Sequence, residues 1–397
     1  MVLKLMMKNY EVLDFSVKGN NIKNIDKIIS MERIPLILVN DITEENLEKW
    51  FRKRSIPDKR ENFNFLYKEE FGKNYWDLLL KSHALNLSDH YWIQSLDENL
   101  KWEDINYFNN LFSYDFGNYM INGNLRNIRP DWNSPDICTN GNNPKAWRIK
   151  GNERYLLKGG ITKENEECLN EVIVSRYISA LHIPYVSPME SHPARIKGKL
   201  FCCCKNFVSD TVELVPAHAI VEYKKRDRDT YLYNHLMDMC TELGIPHVKE
   251  FLNGMLMVDS IFNQKDRHLG NFGFLRDTET LKFIGPAPLY DNGNCLWYNE
   301  EIFNRGMEIT DKCSKPFAPF FPEQDKYIDD YKILQYMDFE YFKHLVYHYY
   351  QQSELDPKKA KLIVEKVSLR MDTLSREVKE TYKEKMKCRE PGYDLVI

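Results

Sequence analysis

"AWRIKGNERYLLKGG", residues 146 to 160, holds two short runs either side of Gly151-Asn152. That dipeptide turns a chain tightly, and the alternation of Trp147, Ile149, Tyr155 and Leu157 reads as a β-hairpin. The second strand ends on Lys158, a cation placed to point out of a sheet edge. Next comes "NEECLNEVIVSRYISALHI" (165–183), where Val172, Val174, Tyr177, Ile178 and Leu181 fit a helix laid against a sheet. "PARIKGKLFCCCKNF" (193–207) gives a second hairpin turning at Lys197-Gly198, and the segment through Pro216 reads as its exit. Residues 131–216 are therefore a small strand-rich lobe with one helix.

After about 217 the pattern is mostly helical, including the tail from 323 to 386. The exception is "FNQKDRHLGNFGFL" (262–275), which leads into a short hairpin and on to "APLYDNG" (287–293). Upstream, residues 1 to about 130 form a mixed, aromatic-rich region. Within it, "DITEENLEKWFRKRSIPDKRE" (41–61) predicts a helix capped by Thr43, with Glu44 and Glu45 in its first turn and a stripe of Leu47, Trp50 and Phe51. Pro57 should end it, and its basic face should be solvated. The fold expected is α+β: a two-lobed core of 131–216 and 217–397, preceded by the accessory region 1–130.

Hydrophobic residues make up 43% and aromatics 13% of the 397 residues, which excludes a disordered or fibrous chain. A net charge of -4 gives no support for direct nucleic-acid binding, which needs a basic face to displace counterions. No run approaches the apolar length of a membrane span and the first residues lack a signal-peptide core, so no membrane partner and a cytoplasmic location are expected. Nine cysteines, three of them adjacent in a strand, argue against a disulfide framework, and none has zinc-site spacing.

A strand-rich lobe joined to a helical lobe whose only strands flank two acidic loops suits nucleotide phosphates held in a cleft. Phosphoryl transfer needs a loop over the phosphates, a lysine on a strand, a carboxylate to orient it, an acid near the nucleophile and oxygen ligands for Mg²⁺. Lys158 ends its strand, and Glu171 lies on the helix that would pack behind it. "CTNGNNPKAW" (138–147) is a polar turn, with Gly141 and Lys145, that can present N–H groups to phosphate oxygens. Asp266 and Asn271 share one loop, a spacing that can aim a carboxylate at a hydroxyl and an amide oxygen at a metal. Asp291 closes an apolar run, where an unpaired carboxylate is costly unless it meets a cation. A salt-bridged turn of Asp266, Arg267 and His268 is the plainer alternative for that loop alone.

In order and character, "NQKDRHLGNFGFL" followed by "APLYDNG" resembles the HipA-like serine/threonine kinases of bacteria. "YLLKGG" followed by "NEVIVSRYISALHIP" resembles that family's ATP lysine and its orienting glutamate, and "WFRKRSIPDKRE" is similar to segments in its relatives. The resemblance covers roughly 130 to 300. It implies a protein-kinase-like fold, with ATP and Mg²⁺ as cofactors and a protein Ser or Thr as acceptor. It makes Asp266 the catalytic base, Asn271 and Asp291 the metal ligands, Lys158 the α/β-phosphate contact and Glu171 its partner.

Thr139, Gly141, Asn142, Asn143 and Lys145 would then form the phosphate loop. His268 would stabilise the catalytic loop, and Arg267 would pair with a nearby acid. Backbone groups of Val212, Glu213 and Val215 would serve the adenine edge. The family's self-modified serine falls on Cys138 here, which leaves Ser134 and Thr139 as nearby hydroxyls. The family further implies a growth-inhibiting toxin bound by a small antitoxin, acting on an aminoacyl-tRNA synthetase or another translation factor. Phosphoinositide kinases share the DRH-plus-Asn pattern, so a lipid or small-molecule kinase stays open, as does a non-catalytic nucleotide-binding module.

Overall fold

The computed structural model describes residues 1–55, 75–122, 131–139, 141, 143–160, 165–298 and 315–387. Asn142, Pro57 and most of the segment after the first helix lie outside them.

The chain opens with a meander of β1 (Val2–Met7), β2 (Tyr10–Lys18) and β3 (Asn21–Ile28), joined later by β4 (Tyr91–Ser95) in the order β3-β2-β1-β4. The face carrying Leu3, Leu5, Leu13 and Phe15 is buried against α1 (Glu44–Arg54) and α2 (Tyr75–Lys81), in a core with Phe51 and Trp76. Thr43 caps α1 as expected, its hydroxyl accepting from Asn46 N at 3.2 Å. The helix stops at Arg54, ahead of Pro57. Its basic face is not wholly solvated, because Arg54 is buried, pairs with Asp89 and donates to the carbonyls of Ala84 and Tyr91. Two short helices, α3 (Trp102–Ile105) and α4 (Asp115–Asn122), lead to the next lobe.

The two hairpins form as read: β5 (Lys145–Lys150) with β6 (Glu153–Lys158), and β7 (Ser191–Ile196) with β8 (Lys199–Lys205). They make one antiparallel sheet, β5-β6-β8-β7. The two-residue turn pairs Trp147 with Leu156 and Ala146 with Leu157. Trp147 and Ile149 therefore share a face with Leu156 and Lys158, while Tyr155 and Leu157 occupy the opposite one. Between the hairpins runs α5 (Glu166–Leu181), buried almost all round and not on one side only.

The second lobe begins unlike the sequence reading. β9 (Val212–Pro216) is no exit from the second hairpin but the first strand of another sheet, β11-β10-β9, with β10 (Gly273–Asp277) and β11 (Phe283–Pro286). A side chain on Gly273 would start 2.5 Å from Val215 O, so this close approach of strands requires glycine. Helices α6 (Ala217–Val221), α7 (Leu232–Glu242), α8 (Val248–Ile261), α9 (Phe321–Asp325), α10 (Phe339–Gln352) and α11 (Pro357–Lys387) complete it. Their core joins Phe251, Leu252, Met255 and Phe342 to Val172 and Tyr177 of α5. Each such side chain contributes about 1.5–3 kcal/mol on leaving water, so α5 is fixed to both lobes.

The fold is α+β with a β-rich lobe above a mostly helical one. Seven cysteines among the described residues are free thiols. Among those residues no helix is long and apolar enough to cross a membrane.

Candidate active site

Between the lobes lies a cavity of about 1150 Å³. Lys158 reaches into it from the end of β6, bonding Asp291 Oδ1 at 3.0 Å and standing 3.8 Å from Glu171 Oε2. A strand, the helix that follows it and a loop far along the chain thus converge on one ammonium. Burial works against the Lys158 charge, yet Asp291 and then Glu171 hold its pKa well above the ordinary value. Lys158 in turn holds the Asp291 carboxyl far below its usual range, with Lys145 adding to the effect. Both groups are therefore charged at neutral pH. Asp291 also has a left-handed backbone, φ 59°, a strained conformation of the kind that clusters at functional sites.

Asp266 and Asn271 occupy the loop after α8. Asn271 Nδ2 donates to Asp266 O at 2.8 Å, closing the loop on itself. That commits the amide nitrogen and leaves Oδ1 as the acceptor. The group expected to find an acid, Arg267, finds Asp259 on α8 and much more. It is fully buried, donates to both carboxylate oxygens of Asp259, and reaches Asn271 O (2.9 Å), Tyr290 O (2.7 Å) and Asn292 Oδ1 (2.6 Å). One guanidinium thereby ties the Asp266–Asn271 loop to the Asp291 loop.

Gln264, which the sequence reading passed over, makes a second tie. Its Oε1 accepts from Asp266 N (3.0 Å) and its Nε2 donates to Asp291 O (3.2 Å). Tyr290 adds a third through Gly270 O at 3.0 Å. His268 is exposed, its Nδ1 accepting from Gly270 N inside the loop.

An amide oxygen at Asn271 and the second carboxylate oxygen of Asp291 are hard donors. They suit Mg²⁺, which takes one or two protein ligands and completes its shell with phosphate oxygens and water. Among the described residues no group of three or more His, Cys, Asp or Glu gathers to hold a metal more completely.

Over the cleft, Gly141 turns with φ 101°, and an added Cβ there would meet Lys145 Nζ. Asn143 and Lys145 line the cavity with it. Thr139 braces this loop: its hydroxyl donates to Pro135 O and accepts from Trp147 Nε1. Cys138 and Ser134 are buried, and burial pushes the Cys138 thiol up to about 11.

Of the residues expected at the adenine edge, Glu213 and Val215 line the cavity, on a strand whose backbone groups are engaged. β9 is paired along its length with β10, and on its other side Leu214 N donates to Ser88 O. The Glu213 carboxylate is buried against Arg276. The chain crosses between lobes at 206–208, and Asn206, Phe207 and Val208 line the cavity beside Leu156, Met189 and Leu214.

His218 on α6 backs the Asp266–Asn271 loop, its backbone N–H donating to Leu269 O at 2.9 Å. Burial, helped by the Lys53 charge, pushes its imidazole down to about 4. The unfolded chain takes up this proton below about 6.5 and the folded chain only near 4, so stability falls as pH drops through that window. His218→Gln is expected to remove about 1–2 kcal/mol of the stability lost between pH 7 and 5, measured by denaturant melts. An unchanged pH slope would count against it.

The fold and cleft define a two-lobed, protein-kinase-like molecule, and comparison with known proteins points the same way. The chain is 27% identical over 215 residues to the serine/threonine-protein kinase CtkA of Helicobacter pylori (strain J99), a match covering 50% of this chain and 64% of that protein. The match thus spans less than two thirds of that relative's length. Among solved structures, HipA of Shewanella oneidensis MR-1, in a toxin-antitoxin complex with HipB and operator DNA, aligns over 96% of this chain and 99% of its own, with TM-score 0.57 and 12% identity. The crystal structure of the H. pylori proinflammatory kinase CtkA aligns over 60% of this chain and 93% of its own, with TM-score 0.47 and 19% identity. No protein-family model matches the chain. The resemblance to HipA-like serine/threonine kinases is borne out.

Proposed function

We propose that the chain is an ATP- and Mg²⁺-dependent serine/threonine protein kinase of HipA-like type. The observation that carries this reading is the convergence of Lys158, Glu171 and Asp291 beside a loop that Arg267 locks to Asp291. A salt-bridged surface turn needs no such junction. Lys158 binds the α- and β-phosphates, with Glu171 steering it, and the loop around Gly141, Asn143 and Lys145 covers them. Segment 206–208 takes the adenine edge. Asn271 and Asp291 hold Mg²⁺, which supplies charge neutralisation on the γ-phosphoryl group. Asp266 accepts the proton of the acceptor hydroxyl.

The resemblance alone extends the proposal to a cytoplasmic toxin with a small antitoxin partner, acting on a translation factor such as an aminoacyl-tRNA synthetase. Incubation with γ-labelled ATP and Mg²⁺ is expected to label protein on serine or threonine, in the chain itself or in an added extract. Label entering only phosphoinositide vesicles would replace this reading with a lipid kinase. Tight ATP binding with no transfer to either would replace it with a nucleotide-binding module.

A further inference from the structure

One contact in the cleft has no part in the roles above. Lys315 Nζ lies 3.0 Å from Asp266 Oδ1. Its side chain is 49% exposed, and such a pair on an open surface would normally be incidental. Both of its ends, however, are anchored from within.

The buried Gln324 of α9 donates from Nε2 to Lys315 O at 2.7 Å, and its Oε1 accepts from Phe317 N at 3.0 Å. One amide therefore clamps the backbone on either side of Pro316. The Phe317 ring then packs edge-on to Tyr233 and Phe272, at 5.1 and 6.5 Å between centroids, and Phe272 directly follows Asn271. On the other side, Gln264 fixes the Asp266 backbone. With both backbones fixed, the ammonium and the carboxylate start from set positions and meet at 3.0 Å.

We propose that Lys315 is the positioning residue of Asp266. Its ammonium occupies Oδ1 and so leaves Oδ2 for the acceptor. This rests on the kinase reading. In the step served, the acceptor oxygen bonds to the γ-phosphorus and its proton passes to Asp266 Oδ2. The bond from the γ-phosphorus to the bridging oxygen breaks, and its electron pair stays on ADP. Lys315 touches none of these atoms; it acts through the carboxylate.

The test measures steady-state transfer from ATP by wild type, Lys315→Met and Lys315→Arg, with melting curves for all three. Lys315→Met is expected to lower kcat by about 10- to 100-fold, the usual range for a misplaced catalytic group. Its KM for ATP should stay within about twofold of wild type and its melting temperature should be unchanged, because an exposed pair adds little stability. Lys315→Arg, which can still donate to the carboxylate, should recover most of the rate. Wild-type or faster transfer by Lys315→Met, or a loss confined to KM, would overturn the positioning role while leaving the kinase reading intact. No transfer by wild type would overturn both.

Discussion

Asp266→Ala and Asp291→Ala are each expected to fold like wild type and to transfer phosphate at least about a thousandfold more slowly, within the span assigned to general bases and metal ligands. The fold should survive because neither side chain carries structural weight. Asp266 is 38% exposed and its carboxylate meets the exposed Lys315. The Asp291 carboxylate meets Lys158, which keeps Glu171 as a partner after the change. The backbones of both loops stay held by Arg267 and Gln264 through main-chain atoms that the substitutions leave in place. The two variants should differ in nucleotide binding. Asp266→Ala retains every group proposed to touch ATP or Mg²⁺, so its ATP affinity should match wild type. Asp291→Ala should lose the Mg²⁺ dependence of that affinity. Labelling by either variant above a tenth of wild type would sink the assignment.

How much of this site could be read in the sequence depended on how local each contact is. Lys158 and Glu171 were legible because a strand end and the next helix bring them together within one supersecondary unit. The demand that Asp291 meet a cation followed from its apolar flank, and the cation proved to be Lys158. Asp259, eight residues before Arg267 and on a different element, showed no signal beyond being an acid in an apolar helix. Gln264 and Lys315 act through amide and ammonium groups that look like ordinary solvent-facing side chains until the tertiary contacts are known.

Where an adenine edge lies cannot be read from side-chain pattern, because backbone donors leave no mark in it: "VELVP" reads as a strand, and only its partner β10 reveals that its backbone is engaged. The register of the first hairpin sets Trp147 and Ile149 on one face and Tyr155 and Leu157 on the other, a matter of parity, since a two-residue turn pairs odd positions with even ones. The N-terminal meander alternates well in β2, but its partner β4 arrives more than 60 residues later, a separation no local pattern encodes. The contacts of the N-terminal region with the residues just after the crossing, where His90 meets Ser209 O at 2.9 Å and Trp102 Nε1 donates to Asp210 at 2.6 Å, were equally hidden.

Arg267→Met is expected to be the most destabilising single change in the site, by about 3–5 kcal/mol, because it strands the buried Asp259 carboxylate without its cation. Denaturant melts of the single variant and of Asp259→Leu/Arg267→Met separate two consequences. Removing both charges ends the cost of an unpaired buried ion, so the double variant should regain about 2 kcal/mol of stability. It cannot regain all, since Asn271 O, Tyr290 O and Asn292 Oδ1 have lost their shared donor.

Activity should not follow stability. Without the guanidinium, the loop bearing Asp266 and Asn271 is no longer registered against the loop bearing Asp291, and a displacement of about 1 Å costs on the order of a hundredfold in rate. The double variant is therefore expected to be more stable than Arg267→Met and still about a hundredfold slower than wild type. Recovery of rate together with stability would mean that Arg267 only neutralises Asp259, and that Gln264 and Tyr290 suffice to hold the two loops in register.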